Sequence, residues 1–357
     1  MLDDVKELRW IRILLTIIAI PVFVIILKSL RSIFIPLILA VFLNFMFAPL
    51  ISFLQKKKVH ILFIMLIMIL IIVLFFSLIT ILISAATNNL VSGFPRYQLR
   101  FSTLIADVSL WLEGLAKTMD IAISRVPGLD PNQLFSLSSF SISKTLTGIM
   151  STTFGIGWNI FLIIIFLMFM VAESGQLEKR LRRVMVPAVL ENTMSSLYRI
   201  QRQLQKYLLT KSLISFATAV VGMILMILYG VDFVLICGIL LFVLNFIPNV
   251  GSIVASGIPM IVCLLQSGLD FRTISFSILI VGTQMLFGNV IEPKVQGDNL
   301  NLSPIMVLVA LIFWSWVWGI VGMILAVPIT SGINIILKQL DPQNLVSAVI
   351  SGTEKKK

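Results

Sequence analysis

The stretch Asn245-Phe246-Ile247-Pro248-Asn249-Val250-Gly251 interrupts a run, Phe233 to Leu269, that holds no charged residue. It leaves about 15 apolar residues on either side, fewer than the roughly 20 that a helix needs to cross a hydrocarbon core. Pro248 lacks a backbone N–H and cannot continue a helix, while Gly251 permits a close turn or a positive φ. The segment reads as two short apolar helices joined by a polar break. A second uncharged run, Asn299 to Leu337, repeats the design around Trp314-Ser315-Trp316-Val317-Trp318-Gly319, with Pro304 and Pro328 in its two arms. Two full helices and two re-entrant half-helices both fit each run.

The rest of the chain supplies the solvent that such segments need. Of its 357 residues 59% are hydrophobic and 12% charged, and the mean hydropathy is +1.07. A soluble domain carries about 25% charged residues, so a chain this apolar belongs in a bilayer. Further charge-free stretches run from Ile33 to Gln55, Val59 to Pro95, Thr145 to Ala172, Ser212 to Val231 and Thr273 to Ile291. The spacing predicts spanning helices over Trp10 to Leu27, Ile33 to Leu54, Ile61 to Ala85, Gly148 to Ala172, Ser212 to Tyr229 and Thr273 to Ile291.

The net charge of +11 comes from Lys and Arg gathered between apolar segments. That is where positive-inside bias places them, so the basicity reports topology and not nucleic acid. Lys56, Lys57 and Lys58 form one cluster, and Gly175 to Lys211 holds eight basic residues against Glu178 and Glu191. Both segments and both termini are expected in the cytoplasm. Asn88 to Lys144 then lies outside, and its stripe of Leu99, Leu104, Val108, Trp111, Leu112, Leu115 and Met119 predicts an amphipathic helical insertion. The basic linker carries apolar residues at helical spacing, with Pro187 starting its second helix.

Parity requires one further crossing after Ser212 to Tyr229, and Thr273 to Ile291 supplies it. If the two interrupted runs return to the side they enter from, the C-terminal half becomes helix then hairpin, twice, in an inverted repeat. The expected fold is an all-α integral membrane protein with about six full transmembrane helices, two re-entrant or broken hairpins and the extracytoplasmic insertion. Its divisions are 1–87 for the first three helices, 88–147 for the insertion, 148–172 for the fourth helix, 173–211 for the cytoplasmic linker, 212–338 for the transport core and 339–357 for the tail.

The residue inventory argues against enzymes. His60 is the single histidine, no P-loop is present, and Cys237 and Cys263 show no metal-ligand spacing. No cofactor and no metal is expected. Transporters place substrate at discontinuous helices, where unwound backbone supplies donors and acceptors. Asn245 and Asn249 add uncharged amides to the break, which suits a polar, weakly charged solute. A second cluster, Gly288-Asn289-Val290-Ile291-Glu292-Pro293-Lys294 with Gly297, brings the one acid of the motif core, Glu292, beside a helix-ending Pro293. Glu292 is the candidate for proton or sodium coupling, with a hydrated helix end as the alternative. Gln284 lies one turn before Gly288, and Thr330, Ser331 and Asn334 lie beyond Pro328; facing a cavity and bonding neighbouring helices both fit them, with helix packing the favoured role for Thr330 and Ser331.

Asn245 to Gly251, Asn289 to Gly297, Leu302-Ser303-Pro304, and Gly319-Ile320-Val321-Gly322 running to Ala326-Val327-Pro328 together resemble the autoinducer-2 exporter family of bacterial membrane proteins. The resemblance implies an inner-membrane exporter of small polar molecules, with autoinducer-2 the namesake and some relatives acting as sodium/proton antiporters. It also implies a homo-oligomer, a pentamer being the form expected. On this basis Asn245, Pro248, Asn249, Gly251, Gln284, Asn289, Pro293 and Gly297 are the expected substrate or gating residues, and Pro304, Gly319, Gly322 and Pro328 shape the second hairpin. A monovalent-cation/proton antiporter and a non-transporting membrane scaffold are the competing functions.

Overall fold

The structure, a computed structural model, describes residues 15, 18–82, 84, 103, 142–173, 180, 182–296 and 302–340. Among them the chain is helical, with no strand. The helices are α1 (Ile18–Ser29), α2 (Arg31–Lys56), α3 (Ile61–Leu82), α4 (Ile142–Glu173), α5 (Pro187–Leu228), α6 (Val234–Leu244), α7 (Val250–Ser267), α8 (Phe271–Met285), α9 (Glu292–Gln296) and α10 (Pro304–Leu340). A π-helical segment, Leu286–Ile291, joins α8 to α9.

Six helices among the described residues are long and apolar enough to cross a membrane: Arg31–Lys56, Ile61–Leu82, Val189–Leu228, Val250–Ser267, Phe271–Val295 and Pro304–Leu337. Helix α3 shows which solvent they face. Leu62, Leu66, Leu70, Leu74 and Leu78 form one exposed stripe, while Ile64, Met68 and Ile72 are buried on the other side. A helix apolar on its inner and outer faces alike is a membrane span.

Several boundaries differ from the sequence reading. Helix α4 starts at Ile142, inside the stretch assigned to the insertion, because Ser, Thr and Lys there are tolerated in a helix whose apolar half follows. The rest of the expected insertion, with its stripe of Leu99 to Met119, lies outside the described residues, as does the tail beyond Leu340. The basic linker from Pro187 onward and the fifth spanning helix are one element. Helix α5 begins at Pro187, as the proline signal suggested, and runs 42 residues without a break. At about 1.5 Å per residue it measures roughly 60 Å, twice the roughly 30 Å hydrocarbon thickness.

The chain divides into two compact units. Among the described residues one comprises α1, α2, the start of α3, α4 from Trp158, α5 up to Lys211, and α10; the other comprises the rest of α3, α4 up to Gly157, α5 from Ser212, and α6 to Val295. In the first unit, Phe42 of α2, Tyr207 and Leu208 of α5, and Leu325 and Val327 of α10 form one apolar cluster. In the second, Ala219, Met226, Cys237, Leu241, Ala255, Cys263, Phe276 and Ile280 build the core of α5, the α6–α7 hairpin and α8. The two cysteines are buried there as free thiols.

Both interrupted runs turn back on themselves. After Leu244 the chain reverses through residues 245–249 into α7. In α10 the reversal is at Gly319, with φ 65° and ψ −141°, and the Trp314 indole N–H donates to Thr330 Oγ1 at 3.2 Å. Those two residues would stand about 24 Å apart on a straight helix. Pro304 opens α10, where Ser303 Oγ accepts from the Met306 N–H at 3.2 Å. Pro328 is buried within the second arm.

Candidate functional site

The first hairpin carries the densest chemistry of the second unit. Helix α6 ends at Leu244 because Pro248 supplies no N–H to close the next turn. Residues Pro248, Asn249 and Val250 then form a γ-turn: the Val250 N–H donates to Pro248 O at 2.6 Å, and Asn249 sits at φ 58°, ψ −62°. This geometry is rare and strained for a residue with a side chain. The strain sits on Asn249, whose side chain is exposed, and not on Gly251.

Gly251 is needed for another reason. A Cβ there would lie 1.8 Å from the Leu244 carbonyl oxygen and 2.9 Å from Ile247 Cβ. Close approach of the two arms, not a positive φ, excludes a side chain. Gly322 holds the equivalent place in the second hairpin, where a Cβ would lie 1.9 Å from the Trp314 carbonyl oxygen. Each hairpin thus packs a carbonyl near the end of its first arm on a glycine of its second.

Asn245 is 2% exposed and ties the hairpin to its neighbours. Its Nδ2 donates to Ser215 Oγ of α5 at 3.2 Å, and its Oδ1 accepts from Ser252 Oγ of α7 at 3.2 Å. Gln284 of α8, also buried, donates through Nε2 to the Ser252 backbone carbonyl at 3.3 Å, and Ser256 Oγ donates to the same carbonyl at 2.7 Å. The sequence singled out Asn245 and Gln284 but not Ser215 or Ser252, since lone serines in apolar helices carry no signal of their own. The Asn245 amide is engaged within the protein, which leaves Asn249 as the uncovered amide of the break.

The far ends of the helices are fastened separately. Arg272 donates to the carbonyls of Tyr229, through Nε at 2.7 Å, and of Gly230, through Nη2 at 2.9 Å, closing the C-terminal end of α5. Asp270 caps α8 by accepting from the Thr273 N–H at 2.8 Å, and that hydrogen bond, more than the nearby Arg272 charge, holds its carboxyl below the usual range.

The second motif cluster falls on the π-helical segment. Asn289 is exposed, and Glu292 is half-buried at the start of α9. Pro293 does not end the helix as the sequence suggested; it lies inside α9. The wider π turn displaces the hydrogen-bond register ahead of it, so the missing proline donor is accommodated. Gly297 lies outside the described residues. No cluster of three or more His, Cys, Asp or Glu that could hold a metal ion occurs among the described residues.

The sequence of this chain has counterparts among known proteins. The family model described as AI-2E family transporter matches residues 13–341. The chain belongs to the AI-2E transporter family. It is similar to the AI-2 transport protein TqsA of Escherichia coli, at 29% identity over 275 residues, 76% of each chain. It is also similar to a Haemophilus influenzae protein named only as a transport protein, at 30% identity over 260 residues, 72% of each chain. A Borreliella burgdorferi protein of the same description is 34% identical over 203 residues, a match that spans 56% of each chain. A family of transporters implies a small solute and a lipid surround for this protein, and its several apolar helices fit that setting.

Proposed function

We propose that this AI-2E family member is a secondary exporter of a small polar metabolite or signal, such as autoinducer-2, across the bacterial inner membrane. The observation that carries the reading is the strained γ-turn at Asn249, set at the tip of a hairpin that hydrogen bonds tie to α5 and α8. Strain of about 1–3 kcal/mol at an uncovered polar residue persists where the position serves a ligand or a moving gate. Helix α6, with 11 residues, reaches only about 16 Å, half the hydrocarbon thickness. The first hairpin therefore dips into the membrane and returns, with its tip at depth. Non-helical backbone at that depth lines a water-filled cavity in transporters.

In this reading Asn249, Pro248 and Gly251 form the tip that meets solute, while Asn245 and Gln284 position it. Asn289 and Glu292, on and after the π-helical segment, are the second polar site, with Glu292 as the coupling group. Both termini and the N-terminal half of α5 are cytoplasmic, and the protein works as a homo-oligomer, a pentamer in the family pattern. The chain supplies no catalytic machinery in this reading.

The test compares metabolites in medium and cytosol between cells with and without the protein. Export is expected to appear as solutes that accumulate inside when the protein is missing. Identical inner and outer metabolite profiles would refute transport and leave a scaffold role. Efflux that occurs only with a sodium gradient, and moves nothing but cations, would favour the antiporter.

A further inference from the structure

The π-helical segment Leu286–Ile291 breaks the register of the helix that carries the second polar site, and π segments recur at functional sites. Its cause is close behind it. On an unbroken α-helix the Pro293 ring would meet the carbonyl of Asn289, four residues back, and Pro293 has no N–H to give. The Glu292 N–H donates instead to Phe287 O, five residues back, so the turn takes in one extra residue just ahead of the proline.

One extra residue rotates everything after it. Helix α8 buries Thr273, Phe276, Ile280, Thr283 and Gln284, and exposes Ile274, Ile278, Val281 and Met285 on its opposite, apolar side. Glu292 follows Ile274 by 18 residues, which is about five whole turns of an α-helix. On an unbroken helix Glu292 would therefore point where Ile274 points, into lipid. With the extra residue it falls back by about 100° and lines up with Thr273 on the buried side. Exposure follows this π register: Phe287, Gly288, Ile291 and Glu292 are half-buried, while Leu286, Asn289 and Val290 are exposed.

The side matters because of where α8 leads. Helices α7 and α8 are antiparallel: Cys263 Sγ and Thr273 Oγ1 stand 3.8 Å apart at one end, and Gln284 Nε2 donates to Ser252 O at 3.3 Å at the other. Ser252 lies within one turn of Asn249, so Gln284 is level with the tip of the first hairpin. Glu292 stands about 10 Å further along the helix. The hairpin that covers this side of α8 ends at its tip, and Glu292 continues the same side beyond it.

We propose that Pro293 is a positioning residue for transport: the π turn it imposes keeps the Glu292 carboxylate on the side of α8 from which a solute reaches the first hairpin's tip, and out of the lipid. The proposal rests on the exporter reading and on Glu292 within it, and adds how the carboxylate is aimed. On a helix about 10 Å across, a rotation of about 100° moves a side-chain end by roughly 8 Å. That step separates the approach to the tip from the lipid face, where a charged carboxylate is disfavoured.

The test has a structural arm and a transport arm. A nitroxide attached through Glu292→Cys leaves the buried Cys237 and Cys263 unlabelled, and its collisions with oxygen dissolved in lipid report which way it points. Pro293→Ala should raise the collision rate to that of a reference nitroxide attached through Met285→Cys. Deleting Val290 from Pro293→Ala removes the extra residue from the helix and should lower the rate again. In everted membrane vesicles, transport of the solutes that the metabolite comparison identifies should fall about tenfold or more in Pro293→Ala, since a misplacement of about 1 Å can already cost about a hundredfold. The fall should match that of Glu292→Gln, go no further in the double variant, and be reversed by the Val290 deletion. A proline whose loss merely loosened the fold would not be replaced by shortening the chain. An unchanged collision rate in Pro293→Ala overturns the proposal, because the proline then does not set the turn. Full transport by Pro293→Ala or by Glu292→Gln overturns it too, as does lost transport that the deletion does not restore. Each of these leaves the exporter reading standing. Identical metabolite profiles with and without the wild-type protein overturn that reading, and this proposal with it.

Discussion

Replacing Gly251 by alanine adds one methyl group where the first hairpin has no room. The new carbon would lie 1.8 Å from the Leu244 carbonyl oxygen, 2.8 Å from the Leu244 carbonyl carbon and 2.9 Å from Ile247 Cβ. Ordinary carbon contacts lie at about 3.5–4.0 Å, so the two arms must part by more than an ångström. Leu244 O also accepts from the Ile247 N–H at 2.9 Å, and Gly251 N–H donates to Ile247 O at 3.2 Å, so parting the arms strains the turn itself. Overpacking against side chains costs about 1–3 kcal/mol, and against backbone the upper end or more applies. Gly257→Ala and Gly282→Ala are matched controls, because a Cβ at either meets nothing within 4 Å. In a helix interior they gain about 0.5–1 kcal/mol. The same methyl group is thus expected to differ by roughly 4 kcal/mol between sites, about three orders of magnitude in the folding constant. The buried thiols of Cys237 and Cys263, one in each arm, report unfolding through a thiol-reactive dye in a detergent melt. If Gly251→Ala melts with the wild type or with the control variants, the close approach of the arms is wrong.

Asn249→Gly should raise the melting temperature, since glycine adopts the γ-turn without the strain of about 1–3 kcal/mol, while slowing efflux if the strained amide serves the solute; unchanged stability would show the turn to be relaxed. Asn245→Leu strips partners from the Ser215 and Ser252 hydroxyls and should cost about 1–3 kcal/mol in the same thiol melt, whereas a neutral result would argue that water takes over both bonds. Glu292→Gln should flatten the pH dependence of efflux, and a profile that matches the wild type in rate and shape would remove its coupling role. Asp270→Ala should destabilise at neutral pH. Its carboxyl titrates below the ordinary value of about 3.9, so the contribution is complete above that value and fades as the pH falls through the depressed pKa. A penalty that stays constant in acid would mean the ionised cap is not what stabilises α8.

The membrane character was legible because it is a bulk property: charge-free stretches of spanning length have one physical home. The break at Asn245 to Gly251 was legible because proline and glycine act locally. What Gly251 does was not, since a close approach depends on where the other arm lies, seven residues away and around a turn. Pro293 misled for the same kind of reason. A proline ends an α-helix, but a π turn ahead of it shifts the register, and nothing in Leu286 to Ile291 announces that turn. Lys211 was hidden by its company, because eight basic residues in one linker look alike until α5 proves to run through the linker's second half and to bury Lys211. The role of Thr330 in packing, by contrast, is seen in its bond from Trp314.

The two hairpin tips solve one problem in two ways. Where two helical arms meet at a tight turn, the carbonyls that end the first arm and the N–H groups that open the second lack intrahelical partners and must be packed compactly. Both tips meet this demand by setting a carbonyl against a glycine, Leu244 on Gly251 and Trp314 on Gly322. The second tip then turns at Gly319, where φ 65° carries no steric penalty, and is anchored through Trp318 and Trp316 to the α1–α2 elbow. The first tip turns at Asn249, where φ 58° is strained, and its side chain is uncovered. Relaxed geometry with external anchors suits a fixed element. Strain released by a change of backbone suits a mobile one, and Asn249 is where such a change is expected.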